Sequence, residues 1–146
     1  MRHKLRTARS FSWQDWQWLG QAWLWLLAVD LCLRLMPLRR AQRLLASGSA
    51  RSPEAQDVPA TIRRWQAFVK IAARYHLYPT RCLQQALALQ TLLSRCGIQS
   101  ALQIGVRKEG SALSAHAWLE WNGLPVGEPA DIVERFAPLR MGEAAA

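Results

Sequence analysis

Apolar and polar residues follow several rhythms along this chain, and each rhythm predicts an element. From Phe11 to Met36 apolar positions are nearly continuous. Trp18, Ala22, Trp25 and Val29 recur at helical spacing, while Leu19, Trp23, Leu26, Leu27, Leu31 and Leu35 fill the remaining sides, so the spacing predicts a helix buried on more than one face. Pro37 ends or kinks it, and Arg39, Arg40 and Arg43 line a short segment beyond. Residues 47–59 are small, polar and proline-bearing, and read as a linker. After it, Ile62, Trp65, Phe68, Val69 and Ala72 keep the period of a helix with one inward face. Thr80 and Gly97 bracket the next helix as N-cap and stop signal. Its buried stripe is Leu83, Ala86, Leu87, Leu89, Gln90 and Leu93, and Cys82 is its second residue.

From Ile98 the period changes to two. Leu102, Ile104 and Val106 alternate as in a strand over 98–106 with one packed face. Residues 107–111 (R-K-E-G-S) are its turn, with Gly110 at the left-handed position. Leu113 to Trp121 is a second strand, Asn122-Gly123 a hairpin turn, and Leu124 to Val126 a third, short strand. Helices first and an antiparallel meander afterwards predict an α+β fold. The chain divides into a basic tail (1–10), a Trp/Leu-rich helical region (11–46), the linker (47–59) and a part (60–146) that carries the candidate chemistry.

Composition narrows the function classes. A chain of 146 residues supports about one domain, and 51% hydrophobic with 20% charged residues excludes a disordered tail. The net charge of +9 favours acidic partners. Its cations are concentrated in the first third and in scattered pairs, without lysines interleaved among aromatics, which argues against nucleic acid. The charged start and apolar run resemble a signal peptide, yet Asp15, Gln21, Asp30 and Arg34 interrupt the run and no small-residue cleavage site follows. Its longest charge-free piece, Trp16 to Val29, is shorter than the roughly 20 residues that cross a bilayer. Residues 11–38 therefore read as a core helix, a docking surface for a partner, or a contact with a membrane surface aided by the flanking arginines. Cys32, Cys82 and Cys96 form no CxxC pair and no metal-ligand spacing with histidine, which points to a reducing, cytoplasmic compartment, peripheral to the inner membrane face under the third reading, and to no metal or cofactor.

Of the three cysteines Cys82 stands apart, because the unpaired N–H groups and positive dipole end of a first turn favour a nucleophilic sulfur. Cys32 lies in the Leu-rich helix and Cys96 at a helix end, where a small buried hydrophobe suffices. His116 is the candidate base. It shares a strand face with Ser114, Trp118 and Glu120, opposite the core side formed by Ala115, Ala117, Leu119 and Trp121. His76, in Y-H-L-Y, fits a cap or a surface site. Glu120, Glu128 and Asp131 could orient the imidazole. With a plain two-residue turn at Asn122-Gly123, Glu128 faces away from His116; a one-residue bulge at Pro125 would turn it onto the histidine face. A thiolate–imidazolium pair attacks amide carbonyls, with the Cys82 N–H and a second donor holding the oxyanion. Gln84 and Gln85 follow the nucleophile, and neither is singled out as that donor. Hydrolysis and transfer to an amine, as in a transglutaminase, share this machinery.

With C-L-Q-Q-A-L-A-L-Q-T-L-L-S-R-C-G-I from Cys82, L-Q-I-G-V from Leu102, A-H-A-W-L-E-W-N-G-L-P-V-G-E from Ala115 and F-A-P-L from Phe136, residues 60–140 resemble the transglutaminase-like B proteins of lasso peptide biosynthesis. The resemblance implies a papain/transglutaminase-like core and a cysteine protease that removes the leader from a ribosomally made precursor peptide, after which a separate ATP-dependent cyclase forms the macrolactam. Cys82 matches the nucleophile and His116 the base. The acid falls at Glu128, where aspartate is usual, so Asp131 stays open as its substitute. Nothing before residue 11 could encode a leader-recognition module, so the chain looks like the split form that works with a separate leader-recognition protein. A non-catalytic scaffold of the same maturation complex and acyl transfer to an amine are the competing readings.

Overall fold

The computed structural model describes residues 11–46 and 57–139. Four helices come first: α1 (Trp13–Leu35), α2 (Leu38–Ala46), α3 (Val58–Arg74) and α4 (Cys82–Arg95). They are followed by β1 (Ala101–Glu109), β2 (Ala112–Trp121), β3 (Leu124–Pro125), a single turn α5 (Ile132–Arg135) and β4 (Ala137–Pro138). The four strands form one antiparallel sheet in the order β3-β2-β1-β4. The class is α+β, helices followed by an antiparallel sheet. The basic tail and most of the linker lie outside the described residues.

Local chemistry accounts for the helix ends. Ser12 caps α1 in a reciprocal box: its hydroxyl accepts from Asp15 N–H, and its own N–H donates to the Asp15 carboxylate at 2.9 Å. Those bonds from the Ser12 N–H and hydroxyl hold the Asp15 carboxyl below the usual carboxylate range. Pro37 separates α1 from α2. Asp57 caps α3, whose second position is Pro59, where a missing N–H costs nothing. The inward face of α3 is the one its periodicity predicts: Ile62, Trp65, Phe68, Val69 and Ala72 are all buried.

α4 departs from its prediction. It starts one residue later, with Arg81 as N-cap and Cys82 as first helical residue. Its middle is buried nearly all round, through Ala86 to Leu89 and Thr91 to Leu93, because α1 and α3 pack on it as well as β2. α1 departs in the opposite sense. It buries Ala22, Leu26, Val29 and Asp30 against α3 and α4 and leaves an apolar face in the open. Trp18 stacks on Trp65 at 5.4 Å, with the Arg64 guanidinium 3.7 Å from the Trp18 ring.

In the sheet, β1 runs three residues further than its alternation suggests, to Glu109, and Gly110 makes the turn with φ +62°. Both faces are covered. Ala117 and Leu119 join the main core with α4, and Trp118, Ile132 and Phe136 form a second cluster on the other side. That cluster depends on Gly105, which pairs with His116 across the ladder. A Cβ at 105 would stand 2.6 Å from Phe136 Cβ and 2.9 Å from the Trp118 ring. Gly105→Ala is therefore expected to destabilise the fold by about 1–3 kcal/mol, read as a lower urea midpoint with an unchanged slope.

Candidate active site

The start of α4 is held from two directions. Gln84 accepts the Arg81 N–H at 2.6 Å, and its amide nitrogen donates to Asp30 of α1 at 2.5 Å. Asp30 is 8% exposed and also receives Arg34 Nε at 2.9 Å. Gln85 donates back to the hydroxyl and carbonyl of Thr80, fixing the chain just before the helix. Both glutamines are thus occupied in building the first turn. The Cys82 N–H has no acceptor among the described hydrogen bonds, as a first helical position predicts.

Cys82, His116 and Glu128 line one cavity of about 160 Å³. α4 packs on the Ala117 and Leu119 face of β2, whereas His116 belongs to the opposite face. Cys82 and His116 nevertheless line the same cavity, beyond Glu120 and Trp121, the two β2 residues that β3 pairs with. His116 Nε2 lies 3.0 Å from Glu128 Oε1, with the two side chains 27% and 29% exposed. A carboxylate at Nε2 requires the proton there, so the neutral ring presents a lone pair at Nδ1. Trp118, 3% exposed, stacks beside the imidazole at 6.1 Å, and Phe136 lies 5.5 Å from it. These rings exclude water from one side of the pair.

Glu128 arrives by a different route from the one its sequence suggests. Asn122 (φ 50°) and Gly123 (φ 76°) form a plain two-residue turn, and the ladder continues in register through Val126, whose N–H donates to Leu119 at 2.8 Å. No bulge forms at Pro125. The chain swings at Gly127, whose φ of +67° few side-chain-bearing residues adopt, and this carries the next residue to the histidine. A Cβ at 127 would also overlap the carboxamide of Gln66, which reaches across from α3 and lines the same cavity.

Asp131 is not brought to this group. It is exposed, begins α5 without capping it, and its side chain makes no hydrogen bond among the described residues. Glu120 accepts instead from Gln103 and Trp118. Gln66 and Lys70 are cavity residues that the sequence does not single out; both lie on the polar side of a helix whose apolar period dominated its reading. Cys32 and Cys96 pack at the margin of the main core, and all three cysteines are free. His76 is half-buried: its ring lies 5.0 Å from Trp23, and its two nitrogens are shielded without a hydrogen-bond partner among the described residues. Among the described residues no three His, Cys, Asp or Glu side chains are grouped to hold a metal.

A family profile described as the Transglutaminase-like superfamily matches residues 23–141. Neither a curated protein nor a solved structure matches the chain.

Proposed function

Since the chain belongs to the transglutaminase-like superfamily, whose members are usually cysteine-dependent enzymes, we propose that it is a peptidase that hydrolyses the leader from a ribosomally made lasso peptide precursor. The observation that carries this reading is the shared cavity of Cys82, His116 and Glu128, with the carboxylate on Nε2 and Nδ1 left for the thiol. In the proposed reaction Cys82 Sγ bonds to the carbonyl carbon of the scissile amide while its proton passes to His116 Nδ1. The C–N bond then breaks as that proton moves to the leaving nitrogen, and the core peptide departs with a free amine. Water, deprotonated by His116, hydrolyses the thioester and releases the leader as a carboxylate. Glu128 fixes the ring and stabilises the imidazolium. The Cys82 N–H and the Gln66 carboxamide are the donors available for the oxyanion.

In this reading a separate recognition protein presents the leader, and an ATP-dependent cyclase uses the freed amine. The test is to incubate the full chain with precursor and recognition protein and weigh the products. Free leader and core peptide, summing to the precursor plus one water, are expected. A labelled amine joined to the leader would assign acyl transfer instead, and intact precursor under conditions where all three proteins bind would assign a scaffold.

A further inference from the structure

The catalytic reading leaves the outer face of α1 without a use. At about 100° per residue, Trp13, Trp16, Gly20, Leu24, Leu31 and Leu35 fall on one stripe, opposite the buried Ala22, Leu26 and Val29. All six are exposed, Trp13 by 79% and Leu35 by 72%. At about 1.5 Å per residue the stripe is about 33 Å long. No acidic residue lies on it: Asp15 is engaged by Ser12 and Arg64, and Asp30 faces inward to Gln84. Arg34 flanks its end, with Arg39 and Arg40 exposed just beyond. Tyr78, under the Arg34 guanidinium at 5.9 Å and itself exposed, borders it.

We propose that this face rests on an anionic membrane surface, with the axis of α1 in the plane of the headgroups. Trp and Leu on one open face, arginines beside it and no carboxylate are what an interfacial helix needs. The cavities beside Cys82, at Gln42 and Ser100, and at Pro59 and Gly127 contain none of its residues, so none of these three supplies a pocket for a protein partner's anchor residue on this face. A second copy would set Arg34, Arg39 and Arg40 against a chain of the same +9 charge. α1 is long and apolar enough to cross a membrane by length and composition, but its inner side is sealed against α3 and α4 and holds Asp30. It therefore lies on the surface and does not span. This inference is independent of the peptidase reading.

The experiment sediments the full chain with vesicles of phosphatidylcholine and phosphatidylglycerol, and with phosphatidylcholine alone. Wild type is expected to pellet with the mixed vesicles, less so as salt rises, and to bind pure phosphatidylcholine at least about tenfold more weakly. Leu31→Glu with Leu35→Glu should lose binding by about tenfold or more, with circular dichroism unchanged. Arg39→Gln and Arg40→Gln should each cost about fivefold. These two lie off the stripe and carry the test alone if the leucine variant does not fold. Wild type remaining in the supernatant with the mixed vesicles overturns the proposal. So does equal binding by the folded leucine variant, or a lipid-free dimer or recognition-protein complex that needs Leu31 and Leu35 while the vesicles are ignored.

Discussion

Cys82→Ala is expected to lower leader release on the order of 10⁴-fold or more, measured as the initial rate of leader appearance by mass spectrometry. The loss is large because the sulfur forms the covalent bond, and no other side chain in the cavity can replace it: Gln66, Gln85 and Lys70 are not acyl acceptors of comparable nucleophilicity at neutral pH. The fold should be unaffected, since Cys82 is a partly buried first helical residue and alanine is a good helix former. Precursor binding should therefore persist. Cys32→Ala and Cys96→Ala should stay within a few-fold of wild type, because both residues pack at the core margin away from the cavity. A Cys82→Ala protein that cleaves at the wild-type rate removes the proposed chemistry.

The next largest effect is expected at Glu128. Glu128→Gln should reduce turnover by about 10² to 10⁴, whereas Asp131→Asn should leave it within about twofold. Glutamine keeps the shape and can still accept from His116 Nε2, but it lacks the charge that stabilises the imidazolium. It can also turn its amide NH₂ toward the ring and favour the wrong tautomer. The loss should therefore fall in kcat with KM nearly unchanged. Asp131 has no such contact to lose. Comparing kcat for the two variants on the same precursor decides between them: equal losses, or a loss at Asp131 alone, would remove Glu128 from the proposed triad.

Much of the arrangement was legible from periodicity alone, and the misses have physical causes. α3 has one covered face, so its apolar positions repeat cleanly and its period shows which face that is. α4 has the period of a striped helix, yet it is packed by helices and by the sheet. The small Ala88, Leu92, and Thr91 with its hydroxyl bonded to the Leu87 carbonyl are buried outside the stripe. α1 is the reverse case, since apolar side chains all round say nothing about which side is covered. β4 pairs with β1 through two residues only, too few to show a period.

At the site, Cys82 and His116 could be named from residue type and position, and the structure places both on one cavity. The approach of Glu128 could not be read in the same way. The register through Val126 follows from the Asn122-Gly123 turn, but the redirection at Gly127 depends on a left-handed residue and on room for a side chain from α3. Both are tertiary facts, and a glycine in the sequence does not disclose which use it serves.

The bond between Gln84 and Asp30 means that the outside of the molecule and its reactive turn are not mechanically separate. Any load that rolls α1 about its own axis shifts Asp30, and Gln84 must either follow or let go. Gln84 stands two positions after the sulfur and also fastens the chain just ahead of it. A shift of α1 is therefore passed to the turn that holds Cys82 by this bond as well as by the packing of Ala22, Leu26 and Val29 against α3 and α4.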